Sequence, residues 1–295
     1  MTPADATHST LAPTLLALAT IALWSTLASL GVALGHVPPL LLTGLSLLIG
    51  SLIALPLSGF RLARWKVPLS TLALGVYGLF SYHFFLFMAL QHAPAVQANL
   101  VNYLWPLMMV VLAPVILPGL RLRPLHILAA ALGFAGAAVV ILGGAAGSSS
   151  SGTDTIWAWG YVPALGAAFV WATYSLMSKR VAPFHTAAIG GFALVSGLLA
   201  LLCHTLMEPA VTLSQHDWLL IFLIGLGPLG GAFFLWDKAL KLGDARHIGI
   251  LSYLTPLLST TLLMTVTGKT LSWPVVLAAL MIVAAAWLGT RAQQV

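Results

Sequence analysis

Long stretches without charged residues dominate the chain. Residues 6–60 and 67–120 contain no Lys, Arg, Asp or Glu. Each run is too long for one crossing of a bilayer, which takes about 20 helical residues. Each run must therefore fold back once, and the predicted turns are GHVPP (35–39) and QHAPA (91–95). The other charge-free runs suit one helix each, giving ten predicted spans: 124–153, 155–178, 181–207, 218–236, 247–268 and 270–290.

The same pattern excludes a membrane barrel, because none of these runs alternates between apolar and polar residues over about 10 positions. Hydrophobic residues make up 60% of the chain and charged residues only 6%, whereas soluble domains average about 25% charged residues. Only helices and closed barrels satisfy their backbone hydrogen bonds in lipid. The sequence therefore predicts an all-α integral membrane protein embedded in the lipid bilayer.

The placement of the cationic residues predicts the orientation. With ten spans, both termini share one side of the membrane with the loops that hold most of the Lys and Arg, whereas the other side holds only Lys269. Since cationic loops stay in the cytoplasm, both termini are predicted to be cytoplasmic. This placement accounts for the net charge of +6, so no nucleic acid partner is expected. The cationic side carries Arg61, Arg64, Lys66, Arg121, Arg123, Lys179, Arg180, Lys238, Lys241, Arg246 and Arg291.

An internal repeat divides the chain into two halves. LVNYLWPLMMVV (100–111) recurs as ILSYLTPLLSTT (250–261) at an offset of 150 residues. The pattern predicts two five-helix repeats, 11–147 and 156–291, joined by the Gly/Ser-rich linker GGAAGSSSSGTDT (143–155). An odd number of spans gives the repeats opposite orientations, which is a common transporter architecture with a substrate site near the midplane. Pro106 and Pro256 are the predicted hinges of interrupted helices.

Polar and aromatic residues form stripes on three predicted helices, spaced so that each stripe shares one face. Such residues are costly in lipid, so the stripes predict a cavity wall. Hydrogen bonding between helices is the alternative explanation, above all for the asparagines. The stripes comprise Asn99, Asn102 and Tyr103 on the fourth helix, Trp171, Tyr174 and Ser175 on the sixth, and Ser252 and Tyr253 on the ninth.

Other candidates come from the depth of a residue within its span. Trp24, Trp105 and Trp171 lie far from span ends, so they are predicted to face the cavity. His83 is the ionisable side chain deepest in any span, and Tyr82 precedes it. A neutral histidine bonded to a nearby carbonyl is the alternative for His83. The remaining tryptophans lie near span ends, where an interfacial belt is expected: Trp65, Trp157, Trp159, Trp218, Trp236, Trp273 and Trp287.

The residues that the spans lack narrow the function. Without Lys or Arg inside a span, a phosphate-bearing substrate is not expected, and without a mid-span carboxylate neither is a cationic drug. The single cysteine, Cys203, and the absence of a metal-ligand or catalytic motif predict no catalytic residues, no metal and no cofactor. A neutral or zwitterionic amphipathic substrate fits best. A channel is disfavoured, because paired proline kinks in inverted halves suit alternating access.

YHFFLFMAL, ANLVNYLWPL and WATYSLMSKR resemble the EamA-type members of the drug/metabolite transporter superfamily, and within it the YddG-type aromatic amino acid exporters. The resemblance covers essentially the whole chain. It implies a ten-helix protein of the bacterial inner membrane that exports aromatic amino acids and similar metabolites. It also implies a central cavity lined by the first, third, fourth, sixth, eighth and ninth helices. We expect a monomer that facilitates transport down the substrate gradient. Proton coupling and a threonine-like substrate remain alternatives.

Overall fold

A computed structural model describes residues 11–93, 95–145, 159–266 and 273–294, which leaves most of the predicted linker outside it. The described chain is all helical and contains no strand. Three apolar stretches of 10–17 residues are Pro124–Val139, Tyr161–Met177 and Trp273–Gly289, and the first and third lie within longer helices. Seven segments are long and apolar enough to cross a membrane: Leu11–Gly31, Pro39–Leu57, Leu69–His92, Gln97–Ile116, Ala188–Met207, Gln215–Leu242 and Ala245–Val266.

Each of the ten predicted spans overlaps one of these segments, and the protein is a multi-pass α-helical membrane protein. A 3₁₀ turn at Leu62–Trp65 lies between the second and third segments, and two π-helical turns interrupt the third and eighth. The α-helices of the described chain are α1 (Leu11–Ser25), α2 (Leu27–Ala33), α3 (Pro39–Ser51), α4 (Ala54–Leu57), α5 (Leu69–Val76), α6 (Tyr82–His92), α7 (Ala95–Asn102), α8 (Trp105–Ile116), α9 (Pro124–Ala145), α10 (Tyr161–Met177), α11 (Ala188–Met207), α12 (Gln215–Leu226), α13 (Ala232–Leu242), α14 (Ala245–Leu251), α15 (Leu254–Val266) and α16 (Trp273–Gln294).

Two helical segments are interrupted in the middle, beside Pro106 and Pro256, which occupy equivalent positions in the repeated sequence. The fourth segment turns between α7 and α8, and the ninth turns between α14 and α15. Pro106 and Pro256 lie in the first turn of the helix that resumes, where a missing N–H costs no helical hydrogen bond. The sequence thus predicts interrupted helices at these positions. A hinge motion at the two prolines stays a prediction.

Two π-helical turns interrupt the third and eighth segments at equivalent places. They span Tyr77–Ser81 and Gly227–Gly231, which are 150 residues apart. The helices that follow, α6 and α13, begin and end at the same offset. Because π turns are rare, their recurrence at this offset matches the repeat that the sequence predicts for these two segments.

Helix packing follows the same plan. α3 packs along α11 and α9 along α16, while α1 against α13 has its counterpart in α10 against α6. Likewise, α10 against α8 corresponds to α1 against α15. Small residues permit the closest approaches: a Cβ atom on Gly133 of α9 would lie 2.4 Å from Cδ2 of Tyr253. Each of these helix pairs therefore either joins two equivalent helices of the two halves or has an equivalent pair that is also in contact.

Candidate functional site

A cavity of about 410 Å³ lies between the two halves. Its wall is built from α1, α2, α6, α7, α8, α10, α13 and α15, the break after α7 and the second π turn. These elements belong to the first, third, fourth, sixth, eighth and ninth helical segments, which are the six that the family resemblance implies. Eight predicted site residues line the cavity: Trp24, Tyr82, His83, Asn99, Asn102, Tyr103, Trp105 and Trp171.

The other four predicted residues do not line it, because each makes contacts within the protein. The hydroxyl of Ser175 accepts a hydrogen bond from Nε1 of Trp236 at 3.1 Å, and the hydroxyl of Ser252 donates to the carbonyl of Ile248 at 2.8 Å. Tyr174 packs against Gly78, and Tyr253 against Gly133. Sequence spacing places these side chains on one face of a helix, but it does not tell which neighbour that face meets. A direct substrate contact by these four stays a prediction.

Four indole rings form a cluster that we term the cavity floor, and three of them, Trp24, Trp105 and Trp171, line the cavity. The ring of Trp24 lies 5.7 Å from Trp171, 6.3 Å from Trp105 and 5.1 Å from Trp236, measured between centroids. The other three rings also contact one another at 5.7 to 6.5 Å. All four come from different helices, so the cluster joins the two halves at the cavity floor.

Trp236 corrects the sequence prediction of an interfacial belt position. Its side chain is 1% exposed, because α13 turns it toward α1 and α10 instead of toward lipid. The partner that its N–H requires is Ser175. By contrast, Trp273 is 72% exposed. The belt residues Trp159, Trp218 and Trp287 are also exposed, Trp65 is half-buried, and Trp157 lies outside the described residues.

Most polar groups of the cavity wall come from the first half. Nδ2 of Asn102 donates to the hydroxyl of Tyr82 at 3.2 Å. Nδ1 of His83 lies 2.6 Å from the carbonyl of Leu79 in the first π turn. A carbonyl can only accept, so Nδ1 carries the hydrogen, and the neutral ring keeps a lone pair on Nε2. This is the carbonyl-bonded histidine that was the alternative from the sequence.

Sequence reasoning missed nine lining residues. Seven are apolar and carry no chemical signal that would separate them from other span residues. Thr255 and Ser259 could have been found, since both fall in the second copy of the repeated segment. The nine residues are Leu27, Leu86, Phe87, Leu90, Ala95, Leu229, Phe233, Thr255 and Ser259.

The described lining contains no Lys, Arg, Asp or Glu. Cationic groups concentrate beyond the indole cluster, at what we term the cationic end (residues 116–124, 178–187 and 240–246). There the Arg246 guanidinium binds the Asp244 carboxylate and donates to the carbonyl of Arg121 at 2.7 Å. Burial opposes ionisation of Asp244, but its hydrogen bonds with Arg246 hold its pKa below the ordinary value.

Lys179 gives the cationic end a second link. Its ammonium donates to the carbonyl of Gly243 at 2.6 Å and to that of Leu240. Burial lowers the pKa of Lys179, and the charge of Asp244 opposes this. The cavity lining reaches Leu90 and Ala95 instead, and it includes no residue of the cationic end.

Comparison with known proteins agrees with this architecture. The EamA-like transporter family matches residues 11–142 and 158–291. The aromatic amino acid exporter YddG of Ancylobacter novellus is 41% identical over 280 residues, covering 94% of this chain and 96% of its own. The Escherichia coli K12 protein of the same name is 28% identical over 291 residues, covering 94% of this chain and 97% of its own.

A solved crystal structure with 38% sequence identity superposes with a TM-score of 0.87 and covers 96% of this chain and 99% of its own. These names and this family indicate a transporter instead of an enzyme. Two matched segments together span most of the chain, and the similarity to the Ancylobacter protein extends over nearly its full length. The chain therefore belongs to the EamA-like transporter family of the drug/metabolite transporter superfamily.

Proposed function

We propose that this protein exports aromatic amino acids and related small amphipathic metabolites from the cytoplasm. The observation that carries the proposal is the composition of the cavity wall, where a floor of indole rings meets a polar wall without charged groups. The name of the Ancylobacter relative supports the same substrate class.

The cavity offers separate surfaces for the two parts of such a substrate. An aromatic ring can stack on Trp24, Trp105 or Trp171, and an ammonium group can lie over the same ring faces. The head group of the substrate can bind the amides and hydroxyls of Asn99, Asn102 and Tyr82. A zwitterion carries its own counter-charge, so it suits a wall that provides none.

Transport proceeds by alternating access between two inverted five-helix repeats, 11–147 and 156–291. Three observations support this part of the proposal: the family matches the chain in two segments, the π turns recur at an offset of 150 residues, and packing contacts exchange between halves. Five spans per repeat would place the pseudo-two-fold axis in the membrane plane. The protein then acts as a monomer in the bacterial inner membrane, with both termini in the cytoplasm.

The energy source in this proposal is the substrate gradient itself. Carriers driven by protons or sodium keep an ionisable group in the membrane to tie ion movement to substrate movement, and the described lining holds no carboxylate. A proton-coupled exporter is the second candidate. His83 favours it, because this buried imidazole lines the cavity.

Flux measurements with the purified protein in proteoliposomes test the proposal. We expect saturable efflux and counterflow of tryptophan, phenylalanine and tyrosine, and little flux of threonine or lysine. Absence of aromatic amino acid flux, while threonine is transported, would overturn the substrate class. Flux that rises linearly with concentration and shows no counterflow would indicate a channel.

A further inference from the structure

Two buried polar atoms in the cavity wall have no hydrogen-bond partner within the described structure. They are Oδ1 of Asn102 and Oγ1 of Thr255. The two residues are 4% and 7% exposed, and both line the cavity. Buried polar atoms in native proteins are nearly always partnered. Eleven buried side-chain atoms of the described residues lack a partner, and only these two belong to residues that line the cavity. They therefore mark a place where a bound molecule would complete the hydrogen bonding.

The helix break explains why the hydroxyl of Thr255 is available. Threonines in an unbroken helix can donate to the carbonyl three or four residues earlier, as Thr173 does to Phe169 at 2.7 Å and Thr261 does to Leu257 at 2.9 Å. Four residues before Thr255, α14 ends at Leu251. The following carbonyl, that of Ser252, accepts the backbone N–H of Thr255 at 3.0 Å.

Asn102 occupies the corresponding break in the first half. It is the last residue of α7, and its amide nitrogen is engaged by the hydroxyl of Tyr82 while its carbonyl oxygen is not. Thr255 itself stands 150 residues after Trp105, so the first half supplies an indole where the second supplies a hydroxyl. At the two breaks the cavity wall therefore holds the indole of Trp105 and two polar groups, Asn102 from the first half and Thr255 from the second.

We infer that Asn102 and Thr255 together bind the head group of a zwitterionic α-amino acid. The Asn102 carbonyl accepts from the substrate ammonium, and the Thr255 hydroxyl donates to its carboxylate. An amine or a carboxylic acid with the same ring would bring a net charge into a wall without counter-charges, at a cost in desolvation. The inference rests on the proposed function, and it assigns the recognition of the substrate's ammonium and carboxylate groups to these two side chains.

Binding of labelled phenylalanine to the purified full-length protein in detergent tests the inference. The competitors are unlabelled phenylalanine, phenethylamine and 3-phenylpropionate. We expect phenylalanine to compete with the native protein about tenfold better than either analogue, since each analogue leaves one buried polar atom unpartnered. If all three compounds compete equally well with the native protein, the proposed head-group site is wrong, and no variant is needed to show it.

Substitutions then assign the two roles. Thr255→Val should weaken binding of phenylalanine and 3-phenylpropionate by about fivefold to tenfold and leave phenethylamine unchanged. Asn102→Leu should instead weaken phenylalanine and phenethylamine. Thr261→Val on the same helix is the matched control, because its hydroxyl is bonded to its own helix, and it should bind like the native protein. A Thr255→Val protein that elutes as a folded monomer and binds phenylalanine within twofold of native would contradict the role of Thr255.

Transport separates failure of this inference from failure of the proposed function. If the native protein transports threonine but no aromatic amino acid, the substrate class is wrong. If the native protein and Thr255→Val both transport phenylalanine with the same affinity and the same preference over the two analogues, only the head-group site is wrong.

Discussion

Among the four clustered indoles, Trp24 is the only one that is partly exposed, and its ring contacts the other three. Trp105, Trp171 and Trp236 are each less than 5% exposed. Substitutions at those three positions would disturb the core as well as the cavity. Trp24 is therefore the position at which ring stacking on the substrate can be measured with the least structural damage.

Trp24→Phe should weaken phenylalanine binding by about fivefold, because a smaller ring face is left for stacking. The thermal midpoint should change little, since phenylalanine retains most of the apolar contact. Trp273→Phe is the control: Trp273 is 72% exposed at a helix end and should not affect binding. Equal losses in the two variants would show that the indole cluster has no special part in binding.

The contacts of His83 with other described residues suit a neutral ring and include no carboxylate. Its Nδ1 donates to the carbonyl of Leu79, and the imidazole packs 6.1 Å from the Phe233 ring. An imposed pH gradient should therefore drive no accumulation of phenylalanine in proteoliposomes. His83→Gln should preserve exchange, because an amide can also donate to that carbonyl and accept from a ligand. The opposite result, accumulation driven by pH and abolished in His83→Gln while exchange persists, would identify His83 as a proton site.

At the scale of elements, close packing at the π turns joins the halves. A Cβ atom on Gly78 would lie 2.2 Å from Cγ of Tyr174, so the first π turn lies directly on the ring of a residue in α10. Such an approach requires a residue without a side chain. The contact fixes α6 against α10, and α6 carries Tyr82 and His83 into the cavity wall.

Gly78→Ala should destabilise the protein by about 1–3 kcal/mol, the usual cost of inserting a methyl group into a packed interface. The measurement is the thermal midpoint of the purified protein in detergent. Gly31→Ala provides the control, because a Cβ there meets nothing within 4 Å and its midpoint should not fall. An unchanged midpoint in Gly78→Ala would mean that α6 and α10 separate easily.

Hydrophobic patterning was sufficient to predict the helical segments, since lipid imposes length and apolarity on each. The breaks beside Pro106 and Pro256 were also predictable, because proline acts locally. The first π turn, YGLFS, was not, since its sequence carries no helix-breaking proline, whereas the second, GPLGG, does. The sequence also placed Trp236 in an interfacial belt, because its burial depends on which helices α13 meets. Thr255 was missed although the repeat pointed to it, since its availability follows from the broken helix before it.

At the scale of the whole molecule, Arg246 and Lys179 link helices at the cationic end, and the cavity lining reaches only the opposite end. If that end faces the cytoplasm, the described structure presents its cavity to the outside. The orientation can be tested with single cysteines at exposed positions, in a Cys203→Ser background. A membrane-impermeant thiol reagent added to intact cells should label Thr212→Cys and not Ala63→Cys. The reverse pattern would invert the topology and the direction of transport.

The four indoles at the cavity floor also give the protein an optical signature. Rings with centroids 5.1 to 6.5 Å apart are close enough for their electronic transitions to couple, which produces an exciton couplet in circular dichroism that isolated tryptophans lack. Opening the cationic end would move the helices that carry these rings and weaken the couplet. A change of conformation could therefore be followed in the unlabelled protein, with Trp236→Phe as the variant that removes one coupled ring.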